Sequence, residues 1–563
     1  MKPQGALLLV LFGAALILAA PLIGCGEDSF LPDVSPGVAS RDASDDGDAT
    51  ASSDSSVSAN MHPDGAGTVS DAGVVDASDA RAEGSADGGG ARDGLAPEGS
   101  TCDPTQSPHD DPCVLTERLG VFVSSAGSDA NPGTRAAPLQ SISAGLVRAA
   151  QLGVDRVYVC QGSYSEIVRV ASLLSVYGGL ACTDQDAGWH YGDGGPSQLT
   201  GPSNAIALTV DGVAGPLAIE DLRVVAADAL GQDDAGNGES SIAVLVNVSS
   251  VNIRRCVFIA GSGQPGSDGT TGNNYTGVTA PRGAATDGGT GAPGGSIVCV
   301  DGTSSTGGQG GDAGLAGGGG VAVPMPSFAV PFDGAGGTSP PFSCSLGRPG
   351  ANGDRVEVAI PPPSFGAWVY GQWSPSMGVA GANGRPGQGG GGGGGLSDAT
   401  QGGLGLGGTG GGAGGCGGGG GSAATGGGAS VALASITSSL SLVDTALVTS
   451  DAGPGGAGGS GQAGQDGGPP GISTVLGNCA GGLGGNGAGG GGGGGGAGGI
   501  SVCMLYRGFP PLGTAACTLG SAGPPGAGGA GGVGGSIDLD TAPSGMDGRS
   551  GLPGLSSAEL EIP

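Results

Sequence analysis

The residues best equipped for chemistry are few and lie close together: Glu220, Asp221 and Arg223, then Asp228, then Arg254 and Arg255. An arginine beside carboxylates has the parts of a proton abstraction assisted by a carboxylate-bound cation. Arg223, Arg254 or Arg255 would act as the base, and Glu220, Asp221 and Asp228 would hold calcium. The competing reading is solvated surface charge, because Glu220-Asp221-Leu222-Arg223 falls at the end of an apolar run. The histidines His62, His109 and His190 lie outside the apolar runs, which disfavours a histidine-dependent hydrolase. No CxxC or Cys/His grouping has metal-ligand spacing, so no structural metal is expected and calcium is the only cofactor the pattern accommodates. A second constellation is Trp368, Tyr370 and Trp373, in a chain that is 3% aromatic. Such rings suit stacking on sugar faces, or the making of a small local core.

The elements that would position these groups are set by an internal repeat. Ser241–Gly266 aligns without a gap on Ser430–Gly455: Ser241, Ala243, Ser249, Ser250, Pro265 and Gly266 meet identical residues at Ser430, Ala432, Ser438, Ser439, Pro454 and Gly455. Apolar positions match as well, among them Val251 with Leu440, Ile253 with Leu442 and Phe258 with Leu447. Each unit holds three short apolar runs alternating at period two, the pattern of strands. A three-strand unit cannot bury its own apolar face and needs stacked neighbours, which is the logic of a solenoid. Ala205–Val210 and Leu217–Val225 repeat the alternation upstream, and 500–526 reads as a degenerate third copy. Leu139–Leu152 carries Leu139, Ile142, Leu146, Ala149 and Ala150 on one helical face, with Ser141 or Ser143 able to cap it.

Between the repeats the chain is glycine: 133 of its 563 residues. Collagen is excluded because glycine does not hold every third position. Gly307–Asp312 matches the start of a calcium-binding nonapeptide once only, and no phosphate-binding loop has its strand–helix setting. Flexible coil and extended glycine helices packed on one another remain as equal alternatives. The formal charge is −31 although only 12% of residues are charged, and Lys2 is the sole lysine. Without clustered bases the surface cannot neutralise phosphates, so nucleic acid is excluded as a partner.

Lys2, the apolar run Ala6–Ala20 and Leu22-Ile23-Gly24-Cys25 have the order of an export signal. The segment resembles the bacterial lipoprotein signal, whose lipobox ends in a cysteine. That resemblance implies cleavage before Cys25 and lipidation of its thiol, a membrane anchor of several acyl chains. Gly26 in place of an aspartate implies the outer membrane. Residues 26–101, acidic and almost free of aromatics, read as a disordered tether. Of twelve cysteines, Cys25 is assigned to lipid, and an exported chain favours disulfides among the others. The local pairs expected are Cys102–Cys113, Cys160–Cys182 and Cys503–Cys517. Cys299–Cys344 and Cys416–Cys479 follow as staples of the glycine-rich parts, with Cys256 left as a buried thiol.

Gly127-Ser128-Asp129-Ala130-Asn131-Pro132-Gly133-Thr134, then Pro138, a short helix, VYVCQGSY and SVYGG resemble the opening of a bacterial right-handed parallel β-helix family, pectate-lyase-like and largely uncharacterised in activity. The mid-chain glycine tracts resemble repeat regions of bacterial surface proteins. The resemblance implies that the helix caps the open end of the stack. The expected organisation is a signal peptide at 1–24, the tether at 25–101, and a cap with first coils at 102–260. A glycine-rich insertion at 261–429, a coil repeat at 430–455 and a glycine-rich region with degenerate coils at 456–563 follow. The expected role is non-enzymatic: a lipoprotein of the outer membrane, periplasmic or surface-exposed, serving envelope structure or adhesion and binding polysaccharide. The alternative is an anchored polysaccharide lyase or glycoside hydrolase, since fold alone does not decide activity.

Overall fold

A computed structural model describes residues 102–182, 188–357, 364–397, 405–473, 477–537 and 540–563. Cys25, the signal segment and the tether lie outside the described residues, as does most of the apolar island 356–360. No helix of the described residues is long and apolar enough to cross a membrane.

The described chain is all-β apart from the helix Ile142–Leu152 and one 3-10 turn at Pro112–Val114. Its main strands run parallel in three ladders. One joins Val168–Val170, Leu208–Asp211, Ser241–Asn247, Ser430–Ile436, Ser501–Arg507 and Ser556–Glu561. A second joins Gly120–Val123, Arg156–Cys160, Ser175–Ala181, Pro216–Glu220, Ser250–Arg254 and the first half of Ser439–Val448. The third joins Ser163–Ser165, Ser197–Gly201, Leu222–Ala226, Val257–Ile259 and the second half of Ser439–Val448. From Val168 to Val448 each turn of the chain visits the three ladders in the same order.

The gapless alignment of the two repeats is their Cα register. Ser241 faces Ser430, Val244 faces Leu433, Val251 faces Leu440, Ile253 faces Leu442 and Phe258 faces Leu447. Identical or similar side chains therefore stack on themselves, and Val244, Val246, Val251, Ile253, Cys256 and Phe258 join Leu433, Leu440, Leu442 and Leu447 of the next turn in one buried core. The corners between ladders are single residues in the left-handed region. Gly212, Val248, Thr437 and Gly508 form one column of corners, at φ of 68°, 46°, 51° and 95°. Asp221, Arg255 and Asp444 form another, at 58°, 52° and 50°. Positive φ is unusual for a β-branched residue. The stacked backbone holds it here, since Val248 N–H donates to Ile436 O and Thr437 N–H to Arg507 O.

The strand Ser241–Asn247 is buried on both faces rather than one. Ile242 and Leu245 point away from the inner core into a second cluster with Val431, Val502, Leu505, Ile562 and Trp373. A strand covered on both sides reads as a continuous apolar run, as SIAVLV does.

The helix begins at Ile142, later than the apolar pattern suggests. Ser141 caps it by accepting from Ala144 N–H at 3.1 Å, and Glu166 takes the Ile142 and Ser143 N–H groups. Leu139 precedes the helix and bridges to Val123, while Ala150 is exposed. Gly153, at φ 68°, ends the helix in a left-handed cap. Ile142, Leu146 and Ala149 pack on Val121, Val123, Val157 and Val159, so the helix lies against the terminal strand of the second ladder.

The glycine tracts are packed, not loose. Gly390 donates its N–H to Gly412 O, Gly391 to Arg348 O and Gly392 to Gly318 O, each at 2.9 Å. Their carbonyls accept from Gly308, Gly482 and Gly337 in the same order. Three successive residues thus reach six different segments. The pattern then repeats: Gly393 donates to Thr409, Gly394 to Ser345 and Gly395 to Leu315. A hydrogen-bond period of three is that of a polyproline-II-type helix, whose backbone groups point outward and are free to pair with neighbours. Here they do, which satisfies polar groups that burial would otherwise penalise. The all-glycine run 389–395 is buried at every position. Segments with fewer neighbours keep glycine only where they are touched: Gly545, Gly548, Gly551 and Gly554 each donate to 523–532, and the residues between them carry side chains. The array grows directly out of the strands. Gly421, Ala424 and Gly427 donate to Gly491, Gly494 and Ala497, and Ser430 continues with the same offset to Ile500.

Cys102–Cys113, Cys160–Cys182 and Cys503–Cys517 are bridged. Across the array the bridges are Cys299–Cys416 and Cys344–Cys479, which corrects the pairing Cys299–Cys344 and Cys416–Cys479. Sequence proximity misleads there because lateral neighbours in the array are distant in the chain. Cys256 is free and fully buried, and burial pushes its thiol up to about 12. In a Cys25→Ser chain, a thiol reagent at pH 8 is expected to leave Cys256 unmodified in the native state. One equivalent should react after denaturation; rapid native labelling would mean that the coil around Cys256 opens.

Candidate functional site

Two places gather chemical groups. The first is the corner column at Asp221 and Arg255. Stacked left-handed corners set the Arg255 side chain over the preceding turn, where its Nε and Nη2 donate to the two Asp221 oxygens at 2.9 and 2.8 Å. Nη2 also meets Glu220 Oε2 at 2.5 Å. Arg254 lies 3.1 Å from Asp110 Oδ2 and 3.5 Å from Glu220 Oε1. Tyr191 OH donates to Asp221 Oδ1 at 2.8 Å, and His109 bonds Asp110 while standing edge-on to the Tyr191 ring. Glu220 and Asp221 are buried, 3% and 5% exposed. Burial works against the Arg255 charge, but the bonds to Asp221 and Glu220 outweigh it and hold the guanidinium pKa above its ordinary value. Burial, with the Asp221 carboxylate as acceptor, pushes Tyr191 up to about 12.

This geometry brings Arg254 to Glu220, and Arg255 to Glu220 and Asp221, but leaves Arg223 on the third ladder, paired in register with Gln198 and Val257. Asp228 is turned elsewhere and accepts from Ser262 N–H. Glu220 and Asp221 are therefore held by arginines, and Arg254 and Arg255 by carboxylates, while Arg223 and Asp228 lie outside this cluster. Asp110, His109 and Tyr191 complete the cluster; their distance along the chain hid them in the sequence. Among the described residues one group of potential metal ligands is close enough to share an ion, Cys102, Asp111 and Cys113. Its sulfurs form a disulfide and Asp111 accepts from Cys113 N–H, so those atoms are committed.

The second place is a cleft of about 300 Å³ beside the hairpin formed by Gly366–Val369 and Gln372–Pro375. Trp368 and Trp373 face each other across the hairpin. Trp373 is buried against Ile242 and its neighbours, with Trp368 packed beside it, so these two rings anchor the hairpin to the strands. Tyr370 is fully exposed at the hairpin turn. Asp233 and Glu239, from the turn preceding Ser241, line the cleft opposite Tyr370 and Gln372, together with Asn204 and Thr209. Burial, reinforced by Asp233, raises the Glu239 carboxyl above its ordinary value. Sequence singled out the aromatics but had no signal for these acids, which lie over a hundred positions away in a turn-rich stretch.

No family model matches the chain, and no curated protein does. Among solved structures a rhamnogalacturonan lyase is similar at 12% identity, covering 25% of this chain and 57% of that protein, with a TM-score of 0.11. A likeness this slight carries no argument about the fold or about activity.

Proposed function

We propose that the chain is a lipoprotein anchored in the outer membrane through Cys25, whose folded part is a right-handed parallel β-helix continued by the glycine array. Its role is non-enzymatic: a rigid, displayed scaffold with an adhesive surface. The β-helix reading is supported by the constant order in which each turn visits three parallel ladders and by the columns of one-residue corners. One observation carries the non-enzymatic reading: Arg254 and Arg255 neutralise Asp110, Glu220 and Asp221, so at this corner neither arginine is free to act as a base and neither buried carboxylate is open to calcium. The adhesive reading draws on side chains that protrude from the array, among them Phe328 at 87% exposure, Phe332 and Phe342.

The full chain, with and without calcium, is expected to release no new chain ends from pectin, rhamnogalacturonan or neutral polysaccharides. Release abolished by Arg223→Ala or Arg254→Ala would replace this reading with an anchored lyase. Cys25→Ser should free the chain from the membrane fraction, and retention there would sink the anchor assignment.

A further inference from the structure

We propose that the cleft between Tyr370 and the Asp233–Glu239 turn binds a neutral, hydroxyl-rich glycan, one sugar ring lying on the Tyr370 face. This deepens the adhesive reading above and rests on it. The cleft sits at the small end of ligand pockets, which span about 300–1,000 Å³, and it holds room for one or two sugar rings.

The hairpin turn is built to present the ring. Tyr370 and Gly371 both have positive φ, 49° and 84°, the geometry of a tight hairpin turn whose first position favours Asn, Asp or Gly. A tyrosine there is strained, costing on the order of 1–3 kcal/mol, and such strain gathers where a side chain has a task. Its ring is wholly exposed although Trp368 and Trp373 of the same hairpin are packed away, so fold stability does not account for it. An exposed aromatic face is a platform for the C–H face of a sugar.

The polar lining selects for charge. Glu239 accepts hydrogen bonds from hydroxyls and the Gln372 amide both donates and accepts, while Asp233 is held in its own turn by Ala235 and Asn237, and Asn204 by Leu230. No arginine or lysine lines the cleft, so a uronate or phosphate would meet carboxylates with nothing to neutralise it. Trp373 supplies the cleft's inner wall, already fixed by the strands, so little ordering is needed on binding.

The test places the full chain on an array of neutral oligosaccharides (glucans, mannans, galactans and xylans) beside oligogalacturonates and glucosamine oligomers, followed by calorimetry on the best binder. A neutral oligosaccharide should bind, and Tyr370→Ala should weaken it at least tenfold while Tyr370→Trp retains it. Glu239→Gln, which keeps an acceptor and removes the charge, should change the affinity less than fivefold. Thermal unfolding of Tyr370→Ala should match the parent, because the ring makes no packing contact. Preference for oligogalacturonates or glucosamine oligomers, indifference to Tyr370→Ala, or binding of no neutral oligosaccharide would each overturn the proposal. New chain ends in the same samples would instead overturn the non-enzymatic role, so the two failures are told apart.

Discussion

Gly391→Ala is expected to unfold the glycine array around it, whereas Gly319→Ala should leave the protein intact. At Gly391 an added Cβ would stand 2.0 Å from the Ala335 carbonyl oxygen and 2.5 Å from its carbon. Overfilling a side-chain core costs about 1–3 kcal/mol because side chains can move aside. Here the obstacle is backbone already hydrogen-bonded to its own neighbours, and shifting it breaks bonds worth about 1 kcal/mol each. A loss above about 3 kcal/mol is therefore expected, within the range that marks a specific structural fault. At Gly319, which is exposed, the nearest atom to a new Cβ is Gly334 O at 3.5 Å. The added side chain there restricts the unfolded chain and should be neutral or stabilising by up to about 1 kcal/mol. Thermal unfolding and amide exchange of the two variants, side by side, give the comparison. Equal behaviour would mean that the tracts are not packed against one another.

Arg255→Met should cost about 3–5 kcal/mol, because it strands two buried carboxylates that Arg255 now neutralises. Asp221 is the more exposed to the loss, since both its oxygens are held by the guanidinium fork. Arg254 remains beside Glu220 and softens the effect there. Pairing Arg255→Met with Asp221→Asn should recover a good part of the loss, because an amide needs partners but carries no charge to bury. Chemical unfolding of the single and double variants measures the coupling. Were Arg255→Met as stable as the parent but altered on a polysaccharide, the corner would be a working site after all.

The parallel β architecture and the stacking register were legible because they rest on local chemistry. Alternation at period two requires strands, and a unit whose apolar face has no partner requires a copy of itself; Ser241 over Ser430 and Phe258 over Leu447 follow from the alignment alone. The short helix and the local disulfides were legible for the same reason, their partners being near in sequence. The glycine tracts resisted reading because glycine has no side chain to carry a pattern. Their order comes from lateral backbone hydrogen bonds to segments far along the chain, and the period visible at Gly545, Gly548, Gly551 and Gly554 fades where six neighbours demand glycine at every position.

The sites divide along the same line. Sequence supplied residue types: arginines and carboxylates around 220 and 255, and aromatics at 368–373. Tertiary structure decided what they are. Stacked corners turned Glu220, Asp221 and Arg255 inward on one another as ion pairs, and the segment ahead of the first strand brought Asp110 to Arg254. Hairpin packing buried Trp373 against the strands with Trp368 partly buried beside it, and left Tyr370 exposed at a cleft that two acids from an earlier turn also line. Local alternation and repetition thus specify which backbone segments pair, while charge pairing and cleft shape depend on atoms brought together from separate turns, whose distances no linear spacing encodes.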